Sequence, residues 1–253
     1  METGPRTALI IGASSEGGLG EACARRLAGD GCRILVAGRR MAPLAALAAD
    51  IGGRAIPCDL ADEASIEAML AEAGPIDVLV NAAGTTLSQS ITKIRREQIE
   101  AQFGMHVTAN LLLLKHAAPR IPQGGSIILF SSLTGTVPGV GLSAYASAKA
   151  ALDQIVRIAA LEFGPLGIRV NAVAPGFSRT PMTESFLGLN GFDTLYRRES
   201  ALGALATPEQ VAAAVSYLTA PDCFASGDIL QVSGGAQLCR LPRADELKTA
   251  SGR

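Results

Sequence analysis

Gly12-Ala13-Ser14-Ser15-Glu16-Gly17-Gly18-Leu19-Gly20 lies between an apolar run, Thr7–Ile11, and a segment with helical spacing, Glu21–Ala28. The run has no polar alternation, as a strand buried on both faces requires. Glycines directly after such a strand allow a tight turn and close backbone approach. The helix that follows offers free N–H groups to a pyrophosphate. The alternative is a structural Gly-rich turn, since the pattern is not G-x-G-x-x-G.

Working outward, the same strand-then-helix unit recurs. Further strands are expected at Arg33–Ala37, Arg54–Pro57, Ile76–Val80, Ser126–Phe130, Ile168–Val173 and Asp228–Val232. Helices are expected at Met41–Ile51, Ala61–Ala73, Gln98–Ile121 (one or two), Ser143–Phe163 and Thr207–Thr219. The last opens on Thr207-Pro208-Glu209, an N-cap followed by Pro at the first helical position. Such alternation predicts an α/β fold: one domain, residues 1–253, with a doubly wound parallel sheet and helices on both faces. Within it, residues 7–176 are expected to form the dinucleotide-binding and catalytic core, and 177–206 stand outside the alternation. Residues 207–237 supply a final helix and strand, and the polar residues 238–253 are expected to be a loose tail.

The composition narrows the function. The chain has 253 residues, 48% hydrophobic, with 22 Lys+Arg against 23 Asp+Glu and a formal net charge of −1. This excludes disorder as the main state and gives no footing for a nucleic-acid face or a polybasic membrane anchor. Five scattered cysteines without C-x-x-C suit reduced thiols, and two histidines are too few for a multi-His metal cluster, so no metal is expected. No targeting or membrane-spanning run stands out. The expectation is a cytoplasmic protein with neither membrane nor nucleic-acid partner.

Three further positions carry chemistry. The second strand ends in Gly38-Arg39-Arg40, where a carboxylate would select NAD and an arginine welcomes a 2′-phosphate. The alternative is a solvated helix start. Tyr145 and Lys149 are four apart, hence on one helix face, where an ammonium would favour the phenolate. Ser131 and Ser132 end a strand, facing the crevice where ligands bind.

Tyr145-Ala146-Ser147-Ala148-Lys149 with Ser132 upstream resembles the short-chain dehydrogenase/reductase family. Asp59-Leu60, Asn81-Ala82-Ala83-Gly84, Asn171 to Gly176 and Val232-Ser233-Gly234-Gly235 follow in the family's order, so the resemblance spans residues 7–238. It implies a Rossmann-like fold and an NAD(P)(H)-dependent oxidoreductase. Tyr145 would exchange a proton with the substrate oxygen, Ser132 would hydrogen-bond that oxygen, and Lys149 would hold the nicotinamide ribose and lower the Tyr145 pKa. Gly12, Ser14, Ser15, Gly18, Leu19 and Gly20 would face the pyrophosphate, with Arg39 at the adenosine ribose and NADP(H) preferred over NAD(H). Asp59 and Leu60 would frame the adenine, Asn81, Ala83 and Gly84 the ribose, and Pro175, Gly176 and Thr180 the carboxamide.

The sequence departs from the family in two telling places. Gly12 to Gly18-Leu19-Gly20 is two residues longer than G-x-x-x-G-x-G, as in some enoyl reductases. The helix position that often carries a relay asparagine falls, counting back from Pro119, on His106. An imidazole can donate, accept and titrate near neutrality; the alternative is a buried histidine with a backbone partner. His116 is read as structural.

In the segment 177–206, where the family places its substrate loop, Phe177, Met182, Phe186, Leu187, Leu189, Phe192, Leu195 and Tyr196 suit an apolar or bulky carbonyl compound. The resemblance further implies a homotetramer. The reading is an alcohol dehydrogenase or carbonyl reductase of a small apolar molecule. The alternatives are a 3-oxoacyl thioester (acyl-carrier-protein or CoA) reductase and, from another class, a catalytically weak dinucleotide-binding sensor or scaffold.

Overall fold

The computed structural model describes residues 4–187 and 191–250. In chain order the elements are β1 (Thr7–Ile11), α1 (Leu19–Gly29), β2 (Arg33–Gly38), α2 (Met41–Asp50), β3 (Arg54–Pro57), α3 (Glu63–Ala73) and β4 (Val78–Asn81). There follow α4 (Arg96–Phe103), α5 (Ala109–Ala117), β5 (Ser126–Phe130), α6 (Ser143–Phe163), β6 (Arg169–Pro175), α7 (Pro181–Leu187), α8 (Phe192–Arg198), α9 (Pro208–Thr219), β7 (Ile229–Val232) and α10 (Ala244–Ala250). Among the described residues, seven strands form one sheet in the order β3-β2-β1-β4-β5-β6-β7, every neighbouring pair parallel.

Strand side chains alternate between two apolar layers. Leu9, Ile11, Leu35, Leu79, Ile127 and Leu129 meet α3, α5 and α6 through Ile66, Leu70, Leu113, Leu152 and Val156. Ala8, Ile10, Ile34, Val36, Val80 and Ile128 meet α1, α2 and α9 through Leu27, Leu44, Val211 and Val215. Each large aliphatic side chain so buried contributes about 1.5–3 kcal/mol. The sheet is thus Rossmann-like, and the order reverses beside β1, where β2 lies on one side and β4 on the other. Ligands of such sheets bind at the carboxyl ends of the strands near this reversal.

Several expected boundaries move, for local reasons. The third helix starts at Glu63 rather than Ala61 because the Asp62 side chain accepts from Ala64 N–H at 3.1 Å and caps it. The expected helix over 98–121 is interrupted by a π-helical turn, Gly104–Thr108, and ends in a 3₁₀ turn, Ala118–Arg120, holding Pro119. Residues 177–206 contain α7 and α8.

The expectation of a loose tail over 238–253 is corrected for Ala244–Ala250, which fold as α10. Arg240 grips both Glu246 carboxylate oxygens at 2.8 Å, Glu199 lies 3.3 Å from Arg240, and Arg198 lies 3.2 Å from Glu246. A fork-shaped guanidinium on a carboxylate is a directional pair, and here it ties α10 to α8.

Candidate active site

At the nucleotide end, the glycine loop turns because its glycines have no Cβ. Gly12 has φ +90° and a Cβ there would lie 2.5 Å from Ala83 N; at Gly20 it would lie 2.4 Å from Gly12 O. The loop therefore packs backbone on backbone beside the amino end of α1, whose N-cap Gly18 makes no side-chain cap. Arg40 crosses this loop, donating to Ser14 Oγ at 3.2 Å and Ser15 Oγ at 2.6 Å. Arg39 is exposed beside it. Helix N-terminus, hydroxyls and two guanidiniums make a donor set that fits a phosphorylated dinucleotide. Sequence reasoning singled out Arg39; the structure adds Arg40 as the arginine bonded to the loop.

At the catalytic end, α6 is a 21-residue Ala-rich helix burying Ala144, Ala148, Lys149, Leu152, Asp153, Val156 and Ala159. This face presents Tyr145 and Lys149 together toward the end of β5. Lys149 is 4% exposed and donates to the Phe130 carbonyl at 2.6 Å; its Nζ lies 5.7 Å from the centre of the Tyr145 ring. Burial pushes the Lys149 pKa down to about 7, opposed by the Asp153 charge. The expected lowering of the Tyr145 pKa by Lys149 is corrected: burial raises it, and the opposing influence is a hydrogen bond from Ser132. Ser132 in turn accepts from Thr134 N–H at 3.2 Å and from the Thr134 hydroxyl at 3.0 Å, so its oxygen is held in place and its own proton is left to donate.

His106 sits on the π-helical turn and is 1% exposed. Its Nε2 lies 2.8 Å from the Thr85 carbonyl, which can only accept, so Nε2 carries the proton. Burial, then the Lys149 charge, lowers its pKa to about 4: the ring is neutral, and Nδ1 is a lone-pair acceptor, buried without a partner among the described residues. The ring meets Tyr145 edge-on, centroids 5.5 Å apart. A Cβ at Gly84 would come 2.8 Å from His106 Cε1, so Gly84 admits the ring. Asn110, one turn on, donates to the His106 carbonyl at 3.0 Å and accepts from Asn81 Nδ2 at 2.9 Å. Asn81 thus fastens β4 to α5 and also accepts from Ala83 N–H at 3.1 Å.

Tyr145, Lys149, Ser132, His106, Leu19, Ala83, Gly84, Pro175, Gly176 and Thr180 line one cavity of about 1020 Å³. Its remaining walls include Val140, Leu142, Phe177, Met182, Phe192 and Tyr196. Phe177 stacks on Tyr196 at 3.9 Å. Leu189 and the side chain of Phe186 lie outside the described residues; Leu195 does not line the cavity. Gly12, Ser14, Ser15, Gly18, Gly20, Arg39, Asp59, Leu60 and Asn81 lie outside this cavity, after the carboxyl ends of β1 to β4 or, for Asn81, at one. Asp59 caps its own turn through Ala61 N–H at 3.1 Å, and Leu60 is core. Leu241, Leu247 and Lys248 also line the cavity; the sequence had no helical periodicity there to point to them.

The chain matches a family model described as Enoyl-(Acyl carrier protein) reductase over residues 12–237. A short-chain dehydrogenase/reductase of Armillaria gallica is 34% identical over 91% of this chain and 95% of its own length. A 3-oxoacyl-(acyl-carrier-protein) reductase of Mus musculus is 33% identical over 87% of this chain and 94% of its own. Among solved structures, a short-chain type dehydrogenase/reductase from Mycobacterium ulcerans superposes with a TM-score of 0.90 at 27% identity, covering 100% of this chain and 98% of the other. An actinorhodin polyketide ketoreductase solved with NADPH superposes at 0.84 and 27%, covering 92% and 97%. Sheet order, glycine loop, the Ser132–Tyr145–Lys149 cluster and these likenesses agree: the chain belongs to the short-chain dehydrogenase/reductase family of NAD(P)-dependent oxidoreductases.

Proposed function

We propose that this chain is an NADP(H)-preferring alcohol dehydrogenase or carbonyl reductase acting on an apolar, bulky carbonyl compound or its secondary alcohol. The observation that carries this reading is the single cavity in which Ser132, Tyr145, Lys149 and His106 face apolar and aromatic walls. When bound, the nicotinamide cofactor supplies or takes the hydride. Tyr145 exchanges a proton with the substrate oxygen, and Ser132 donates a hydrogen bond to that oxygen. Lys149 holds the cofactor ribose, as in the family. His106 takes the relay position: Thr85 fixes its tautomer, which leaves Nδ1, unpartnered among the described residues, able to accept a hydrogen bond. Gly12, Gly18, Leu19 and Gly20 receive the pyrophosphate, with Asp59, Leu60, Asn81, Ala83 and Gly84 toward the adenosine and Pro175, Gly176 and Thr180 toward the nicotinamide. Arg39, with Arg40 across Ser14 and Ser15, supports the choice of NADP(H).

A second reading, 3-oxoacyl thioester reduction, is favoured by the relatives bearing that name. The reading also includes a cytoplasmic homotetramer. Its support is five free cysteines, the apolar side chains Ile158 and Leu161 exposed on α6, and the absence, among the described residues, of any helix long and apolar enough to cross a membrane. The test is a panel of cyclic and aryl ketones, secondary alcohols and acetoacetyl-CoA, run with NADPH and NADH side by side. Bulky ketones turned over faster with NADPH bear the proposal out. Turnover of acetoacetyl-CoA alone moves the assignment to thioesters, and tight dinucleotide binding without turnover moves it to a sensor.

A further inference from the structure

Asp153 is a carboxylate that the chemistry above does not use. It lies on α6 one turn beyond Lys149 and two beyond Tyr145, on the same inward face, and is 3% exposed. One of its oxygens accepts the Ser131 hydroxyl proton. The other lies where a Cβ at Gly135 would be 2.8 Å away. Ser131 and Gly135 bracket the turn that presents Ser132. A carboxylate buried this deeply is costly unless charge and hydrogen bonds compensate it, and here both partners belong to the catalytic layer.

We propose that Asp153 is a positioning residue that couples the end of β5 to the catalytic helix. Through Ser131 it fixes the backbone from which Ser132 projects, and from one helical turn beyond Lys149, on the same buried face, its charge favours the ammonium form of that lysine. The catalytic consequence rests on the function proposed above; the coupling itself does not.

The charged and titratable neighbours are few. Asp153 faces Lys149 and Arg157 on its own helix and the Ser131 hydroxyl from β5; burial raises its pKa and these three lower it. Lys149 faces Asp153 and, from the π-helical turn, His106, with the Tyr145 ring alongside. Because burial leaves Lys149 titrating at about 7, a small contribution decides its state. A further drop of about one unit cuts its charged fraction at neutral pH from about half to about a tenth.

Competitive acetylation with acetic anhydride, read by peptide mass spectrometry across pH, gives the Lys149 titration midpoint without any substrate, with Lys93 and Lys115 as internal standards. Asp153→Asn is expected to lower that midpoint by about one pH unit or more, and Asp153→Glu to restore it. Should Asp153→Asn fail to fold by circular dichroism, Ser131→Ala carries the test: losing that hydroxyl makes Asp153 easier to protonate, so the Lys149 midpoint falls in the same direction. A Lys149 midpoint unchanged in the folded variants overturns the proposal, because a merely structural Asp153 would alter stability and leave Lys149 alone. The pH profile of NADPH-dependent trans-1-decalone reduction is run in parallel, and its limb is expected to move with the midpoint. If no ketone is turned over by the parent, the functional reading fails while the labelling result still decides the role of Asp153.

Discussion

His106 links burial to stability. Its pKa is about 4 folded and near 6.5 unfolded. Between these values the unfolded chain binds more protons, so stability falls as pH drops from 6.5 to 4. The loss through this group is at most about 3 kcal/mol. Urea unfolding at pH 7 and pH 4.5 is therefore expected to show a larger acid penalty in the parent than in His106→Asn; equal penalties contradict the buried neutral ring. Arg39→Asp is expected to shift the kcat/KM ratio toward NADH, checked with either cofactor on one ketone; an unchanged ratio removes Arg39 from the phosphate site. At this scale the sequence was legible where chemistry fixes spacing. Tyr145 and Lys149 stand out because four residues make one helix turn, and Ser132 because it ends a strand. Asp153 gives no such signal: a single acid in a helix reads as a solvated face until the fold turns it inward. The direction of the Tyr145 pKa also needed three dimensions, since it depends on burial, opposed by Ser132.

Among the elements, β1, β3, β5 and α6 begin and end where the sequence pattern places them. The π-helical turn was illegible because nothing in Gly104–Thr108 breaks helical spacing; Asn110, just beyond it, donates to the His106 carbonyl inside the turn and is itself held by Asn81. The end of α9 that follows residues 177–206 was legible through Thr207, whose hydroxyl accepts from Gln210 N–H at 3.3 Å while Gln210 reaches back to Thr207 N–H at 2.9 Å. Thr207→Ala is expected to lower unfolding stability by about 1 kcal/mol, read from denaturant midpoints. The C-terminal helix was missed because its residues are polar and it is held by ions, not by an apolar stripe. Glu246 holds Arg240 and also accepts from Arg243 N–H at 2.7 Å. Glu246→Gln is expected to speed tryptic cleavage at Arg243 several-fold, monitored by intact mass; an unchanged rate means α10 is held by other contacts.

For the whole molecule, the alternation of strand and helix was enough to specify a parallel sheet, because parallel strands need crossovers and buried strands need two apolar faces. The end of that sheet where ligands bind follows from the reversal beside β1. Its lining does not follow from sequence, since the loop after β4, the ends of β5 and β6, α6 and the C-terminal segment contribute to one cavity. The central claim is that this cavity does acid–base chemistry through Tyr145. It is tested most directly by Tyr145→Phe, measuring NADPH affinity by fluorescence titration and ketone turnover at 340 nm on the same preparation. The account predicts unchanged NADPH affinity and turnover lower by about 10²–10⁴-fold. Turnover within a few-fold of the parent would contradict it.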